Sequence, residues 1–173
     1  MLIKNIIDED VVNYKKTSMF IIFPKCDFKC DREAGCSICQ NSSLAHEPDI
    51  EMPVEDIVDR YLNNPITNAI VFGGLEPFSS PVILYDLIEA FRKYTDDDIV
   101  IYTGFKECEL NLLAYRVWVN EIKKFPNIII KYGRFVPNQE PHYDEVTQAL
   151  APSMQICTIW AAHNTYRSPT TKL

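Results

Sequence analysis

Apolar positions along the chain fall into short blocks that alternate between two spacings. Continuous apolar runs occupy residues 19–23, 69–72, 99–102 and 128–130. Runs of this length, rich in β-branched and aromatic residues and bounded by Pro or Gly, predict buried strands of a parallel sheet. Between them, apolar residues recur at helical spacing. Val54, Ile57, Val58 and Leu62 predict a helix over residues 53–63, with Pro53 in its first turn and Glu55, Asp56 and Asp59 favouring its dipole. Leu84, Leu87, Ile88 and Phe91 predict a second helix, capped by Ser80-Pro81. Leu110, Leu113, Val117 and Ile122 predict a third over residues 107–125. Asn64-Pro65 breaks the first helix, and Asp96, Asp97 and Asp98 read as a turn. Residues 1–16 read as an edge strand or hairpin, Ile156–Trp160 as a last strand, and residues 161–173 as a loose tail.

Four strand–helix alternations predict an α/β fold with right-handed crossovers. They are too few for an eight-stranded barrel of about 250 residues. A short, open, partial (βα) barrel fits better, with helices on the outside of a parallel sheet. Ligands in such sheets bind at the carboxyl ends of the strands. Those ends carry Pro24 and the loop behind it, Gly73-Gly74, Thr103-Gly104 and Gly133, so four loops build one site on one edge.

Composition narrows the setting. The chain has 173 residues, 47% hydrophobic, the size of a single domain with a sizeable core. Its net charge of -7 argues against a nucleic-acid surface, which needs clustered Lys and Arg. No apolar run approaches the roughly 18 residues of a membrane span, and no signal-like leader is seen. A cytoplasmic, membrane-independent protein is expected, in a compartment where clustered thiols bind metal more often than they form disulfides.

Four of the six cysteines lie in one loop: Cys26, Cys30, Cys36 and Cys39. Three sites are compatible with them: a structural zinc on all four, an iron–sulfur cluster on all four, and a 4Fe-4S cluster on three with one iron left open. Cys108 and Cys157 stand apart and read as small buried hydrophobes. His46, His142 and His163 lack metal-ligand spacing and read as surface residues, as does Arg134. The aromatic residues of the strands read as core.

The cysteine loop resembles that of radical S-adenosylmethionine (SAM) enzymes. Cys26-x3-Cys30 follows the first core strand, and Cys39-Gln40-Asn41 resembles the family's Cys–X–Asn ending. The family's usual C-x3-C-x2-C is stretched here to x8 if Cys39 is the third ligand, or x5 if Cys36 is. The resemblance favours Cys26, Cys30 and Cys39, with Cys36 as the alternative. Gly73-Gly74-Leu75-Glu76-Pro77 is similar to the family's G-G-E-P edge, with one residue inserted. Tyr102-Thr103-Gly104-Phe105 resembles the Y-T-G-Y segment of the anaerobic ribonucleotide reductase activating enzymes, and Tyr132-Gly133-Arg134-Phe135 their D-G-x-F. Ser153-Met154-Gln155 resembles their S-x-N-Q, with Met154 where Asn is expected. The likeness runs over about residues 17–155 of what is expected to be a single domain.

That resemblance implies a radical SAM-type partial barrel holding a 4Fe-4S cluster and SAM. It places SAM against Gly73, Gly74, Glu76, Pro77, Thr103 and Gly104, with Ile38 packing on the adenine. It implies reductive cleavage of SAM to a 5′-deoxyadenosyl radical that takes a hydrogen from a glycine Cα. The partners implied are a large glycyl radical enzyme, an anaerobic ribonucleotide reductase, and a reduced flavodoxin- or ferredoxin-type donor. Two alternatives stand beside this: a radical SAM enzyme on a small molecule, similar to 7-carboxy-7-deazaguanine synthase, and a non-catalytic Fe–S or zinc-binding module.

Overall fold

The structure, a computed structural model, describes residues 1–140, 142–151 and 156–160. In chain order the elements are β1 (Leu2–Ile3), β2 (Asn5–Asp10), β3 (Ser18–Phe23), α1 (Lys29–Ala34), β4 (Ile50–Glu51), α2 (Val54–Leu62), β5 (Ala69–Gly74), α3 (Pro81–Arg92), β6 (Asp98–Tyr102), α4 (Glu107–Leu110), α5 (Leu113–Ile122), β7 (Ile128–Tyr132), β8 (His142–Asp144), β9 (Ala149–Ala151) and β10 (Ile156–Trp160). Single turns of 3-10 helix sit at Ser42–His46 and Pro77–Ser79.

Six strands form one sheet in the order β10-β7-β6-β5-β3-β2. The inner four, β3, β5, β6 and β7, are parallel, as their apolar runs predict. β2 and β10 run antiparallel at the two edges. They do not pair with each other, so the sheet stays open and does not close into a barrel. β2 supplies the edge strand expected from residues 1–16, and β10 the expected last strand.

Alternation along each strand divides the sheet into two faces. Met19, Ile21, Phe23, Ile70, Phe72, Ile99, Ile101, Ile128 and Ile130 pack under the helices with Ile57, Tyr61, Leu84, Leu87, Ile88, Phe91 and Ile122, all buried. Phe72 meets Phe23 edge-on, with ring centroids 5.8 Å apart, and also contacts Phe91. Each such side chain contributes roughly 1.5–3 kcal/mol of burial, so the stability of the molecule is concentrated here. The opposite face carries a smaller cluster, Tyr14, Ala69, Val71, Val100 and Ile129. That cluster fills the amino-terminal half of the face. The carboxyl-terminal half is left open, flanked by Phe20 and Tyr102.

The structure corrects several local expectations. The helix predicted over residues 107–125 is two helices, because Leu112 takes an extended backbone (φ -66°, ψ 149°) that halts one and starts the next. Ser80 sits at the cap of α3 but makes no side-chain cap bond; Pro81 alone sets the start. The three aspartates are more than a turn. Asp97 accepts from the Tyr61 hydroxyl at 2.5 Å, while Asp98 accepts from Tyr14 at 2.8 Å and pairs with Lys16. Cys108 is exposed, since the single turn of α4 turns Leu110 inward instead. The side chain of Cys157, Ser153-Met154-Gln155 and His163 lie outside the described residues.

Candidate cluster and cofactor site

Pro24 ends β3 and sends the chain over the carboxyl edge of the sheet. Cys26 follows at once, and Cys30 sits in the first turn of α1. Gly35, in the left-handed region at φ 69°, ends that helix. Asp31 then gathers the far end of the loop: one of its oxygens accepts from the N–H groups of Ile38 and Cys39, at 2.9 and 2.8 Å. Residues 31–34 of the stretch after Cys30 complete α1, and Asp31 holds the chain beyond Gly35 at Ile38 and Cys39.

A cavity of about 520 Å³ opens at this edge. Cys26, Cys30 and Cys39 line it, whereas Cys36 does not: its thiol is exposed and lies 3.7 Å from the Ala34 carbonyl. Burial pushes the Cys26 thiol up to about 11 and raises Cys39 as well. Two half-buried thiols raised this way stay protonated near neutral pH unless a metal's positive charge holds them as thiolates. A lone tetrahedral zinc, with Zn–S near 2.3 Å, would draw its thiolates to within about 4 Å of each other. Among the described residues no three Cys, His, Asp or Glu converge in that way. The three thiols share the lining of one cavity.

The glycine edge forms the neighbouring wall. Gly74 has φ 80°, and a Cβ there would lie 2.4 Å from Ile22 Cγ2, so no other residue fits. Its carbonyl accepts from the Asn41 amide at 2.7 Å, which ties the end of the cysteine loop to the end of β5. Gly73 lies beneath, where a Cβ would meet the Phe20 ring at 3.0 Å. Gly104 lines the cavity from β6; a Cβ there would stand 3.7 Å from the Cys30 sulfur, in the space beside the thiol.

Glu76 lines the cavity but commits both carboxylate oxygens to the protein. Thr103 Oγ1 and the Phe78 N–H donate to Oε1 at 2.8 and 3.0 Å, and the Gly104 N–H donates to Oε2 at 2.8 Å. Burial pushes its carboxyl up to about 7, with those three donors pulling the other way. Glu76 thus brackets the ends of β5 and β6 together. Pro77 is buried in the turn behind it. Ile38 is half-buried and is not among the side chains that line the cavity.

Several lining residues lie outside the expected cofactor-binding set, although Tyr102 opens the Tyr102-Thr103-Gly104-Phe105 segment. Phe20 and Tyr102 face the cavity instead of the core. Tyr102 donates its hydroxyl to the Asn13 carbonyl at 2.5 Å, closing the floor. Lys131 is 1% exposed, with Nζ 4.8 Å above the Tyr102 ring. Among the described residues it is the one cationic side chain in the lining. Alternation could have revealed these three, since residues 20, 102 and 131 share a face, but the strand pattern is too apolar to say which face is open. Arg134, expected on the surface, is buried. It donates to the Gly104 carbonyl and pairs with Glu109 at 2.6 Å and Glu33 at 2.9 Å.

Fold and site together define an open α/β domain that presents three thiols and a glycine-rich edge to one cavity. A family model described as a 4Fe-4S single cluster domain matches residues 15–148, and the chain belongs to that family. No curated protein and no solved structure gives a significant match to the chain. No helix among the described residues is long and apolar enough to cross a membrane.

Proposed function

We propose that this chain is a radical SAM enzyme of the glycyl radical activating type, acting in the cytoplasm on an anaerobic ribonucleotide reductase. The observation that carries this reading is the shared cavity: Cys26, Cys30 and Cys39 stand beside Gly74, Glu76 and Gly104 at one carboxyl edge. Three thiols with a fourth held outside suit a 4Fe-4S cluster that keeps one iron open for a cofactor. Cys26, Cys30 and Cys39 would hold the cluster, which would supply the one electron needed to cleave a carbon–sulfur bond of SAM reductively, the adenosyl fragment so released being what would remove a hydrogen atom from a glycine of the partner. A reduced flavodoxin- or ferredoxin-type protein supplies that electron in turn.

The chain's own residues bind, orient and exclude water. Gly73 and Gly74 let the backbone approach the methionine end of SAM without a side chain between them. Glu76 holds Thr103 and Gly104 in register with that edge. Lys131 is suited to a carboxylate. Phe20, Ile22, Leu44 and Phe135 supply apolar walls that keep water from a reactive radical. The open sheet leaves room for a protein loop to reach the cavity, which favours a macromolecular partner over a small substrate.

The test is direct. Protein prepared without oxygen, reconstituted with iron and sulfide, then reduced and given SAM, is expected to release 5′-deoxyadenosine and methionine. A cluster that forms without SAM cleavage would leave a cluster-bearing binding module and overturn the enzymatic reading. Glycyl radical formation on an anaerobic ribonucleotide reductase, detected by electron paramagnetic resonance, separates the activating role from action on a small molecule.

A further inference from the structure

The helix that carries Cys30 has no buried residue. Elements of this length usually hold their place by burying an apolar side chain, and α1 cannot. Its ties to the rest of the molecule are charged. Lys29 lies 3.6 Å from the centre of the Phe105 ring and 3.9 Å from Glu109. Glu33 pairs with Lys106 at 3.1 Å and with Arg134 at 2.9 Å. Arg134 stands at the centre. Its side chain is 6% exposed, and it reaches Glu33 on α1, Glu109 on α4 and the Gly104 carbonyl at the end of β6. Burial alone would pull its guanidinium down, but Glu109 and Glu33 hold it above its ordinary value. Glu33 in turn is held below the ordinary carboxylate range, first by Arg134 and then by Lys106.

The Gly104 peptide is thereby fixed from both sides. Its N–H donates to Glu76 and its carbonyl accepts from Arg134. One chain of contacts runs from Glu76 through Gly104 and Arg134 to Glu33, three residues beyond Cys30. Arg134 Nε is buried with no partner among the described residues, a cost accepted to keep the two terminal nitrogens on their acceptors.

We infer that Arg134 is a positioning residue that locks the Cys30 helix to the glycine edge, fixing how far the cluster thiols stand from Gly104 and Glu76. The inference rests on reading Cys26, Cys30 and Cys39 as cluster ligands. The guanidinium uses two separate nitrogens, Nη1 on the Gly104 carbonyl and Nη2 on the Glu33 and Glu109 carboxylates, a planar fork that the single nitrogen of an ammonium does not reproduce.

Hydrogen exchange on the metal-free protein tests it. Arg134→Ala should speed amide exchange across residues 29–39 and 104–110 by roughly tenfold, as loss of hydrogen bonds to charged groups implies. Residues 69–72 and 128–132 should keep their wild-type rates. Glu33→Gln, at a half-exposed side chain that the fold does not depend on, should reproduce the effect over residues 29–39. Arg134→Lys should restore less than half of the lost protection. Unchanged rates at residues 29–39 in either variant, uniform acceleration in Glu33→Gln, or full rescue by Lys would overturn the inference. Iron and sulfide content of the reconstituted wild type tests the cluster reading separately, since the exchange experiment needs no cluster.

Discussion

The sheet and the cysteine loop are built on opposite principles. Phe72, at the middle of β5, is fully buried between Phe23 and Phe91, and the helices above the sheet bury Ile57, Leu84, Leu87, Ile88 and Ile122. Leu113 and Val117, expected on the inner stripe of the third helix, are exposed, because the buried face of α5 is carried by Val119 and Ile122. Earlier in the chain, α1 buries no residue and is held by Lys29 and by the Glu33–Arg134 pair, and the loop behind it is held by Asp31 and Asn41. An apolar platform thus carries a loop held in place by polar and charged contacts. That division suits a site that must receive a large inorganic group after the chain has folded. It also predicts that damage to the two regions will look different.

The largest expected effect lies in the platform. Phe72→Ala should cost about 3–5 kcal/mol and lower the urea midpoint steeply, since it opens a cavity among rigid neighbours. If the loop and sheet were one cooperative unit of equal density, substitutions at Asn41 would cost as much, and they should not. Between these extremes stands Glu76, which joins the two regions. Glu76→Gln should cost about 1–3 kcal/mol, because its amide N–H groups must face a donor from Thr103, Phe78 or Gly104. The pH dependence sharpens this. The folded-state carboxyl is raised to about 7, so the folded protein binds that proton more tightly than the unfolded chain. The stability from this group is full below the ordinary carboxylate range and is lost as pH rises through about 7. The gap in melting temperature between wild type and Glu76→Gln should therefore narrow across that interval. The smallest effect on folding is expected at Asn41. Asn41→Ala removes one bond to the Gly74 carbonyl and should cost only about 0.5–1.5 kcal/mol by denaturant titration.

The same contrast explains what the sequence made legible. Parallel strands announce themselves as continuous apolar runs, and the rule that ligands gather at their carboxyl ends joins Cys26, Gly74, Gly104 and Gly133 from the sequence alone. The likeness of Cys39-Gln40-Asn41 to a Cys–X–Asn ending favours Cys39 over Cys36 as a ligand; Cys39 lines the cavity and Cys36 is exposed outside it. What stayed hidden depends on contacts distant in sequence. Arg134 looked like a surface residue because its partners, Glu33 and Glu109, lie 101 and 25 positions away. Lys131 and Tyr102 were hidden inside strands whose composition suggested burial on both faces. Cys108 is exposed where burial is expected, because a one-turn helix has too few residues for periodicity to reveal its outer side.

Iron content of the single-cysteine variants tests the central claim most directly. After anaerobic reconstitution, wild type and Cys36→Ala should each hold about four irons per chain, as a 4Fe-4S cluster requires. Cys26→Ala, Cys30→Ala and Cys39→Ala should each lose most of that iron while keeping the wild-type urea midpoint. Loss of the cluster in Cys36→Ala with retention in Cys39→Ala would contradict the assignment, and stoichiometric zinc in place of iron would contradict the cluster itself.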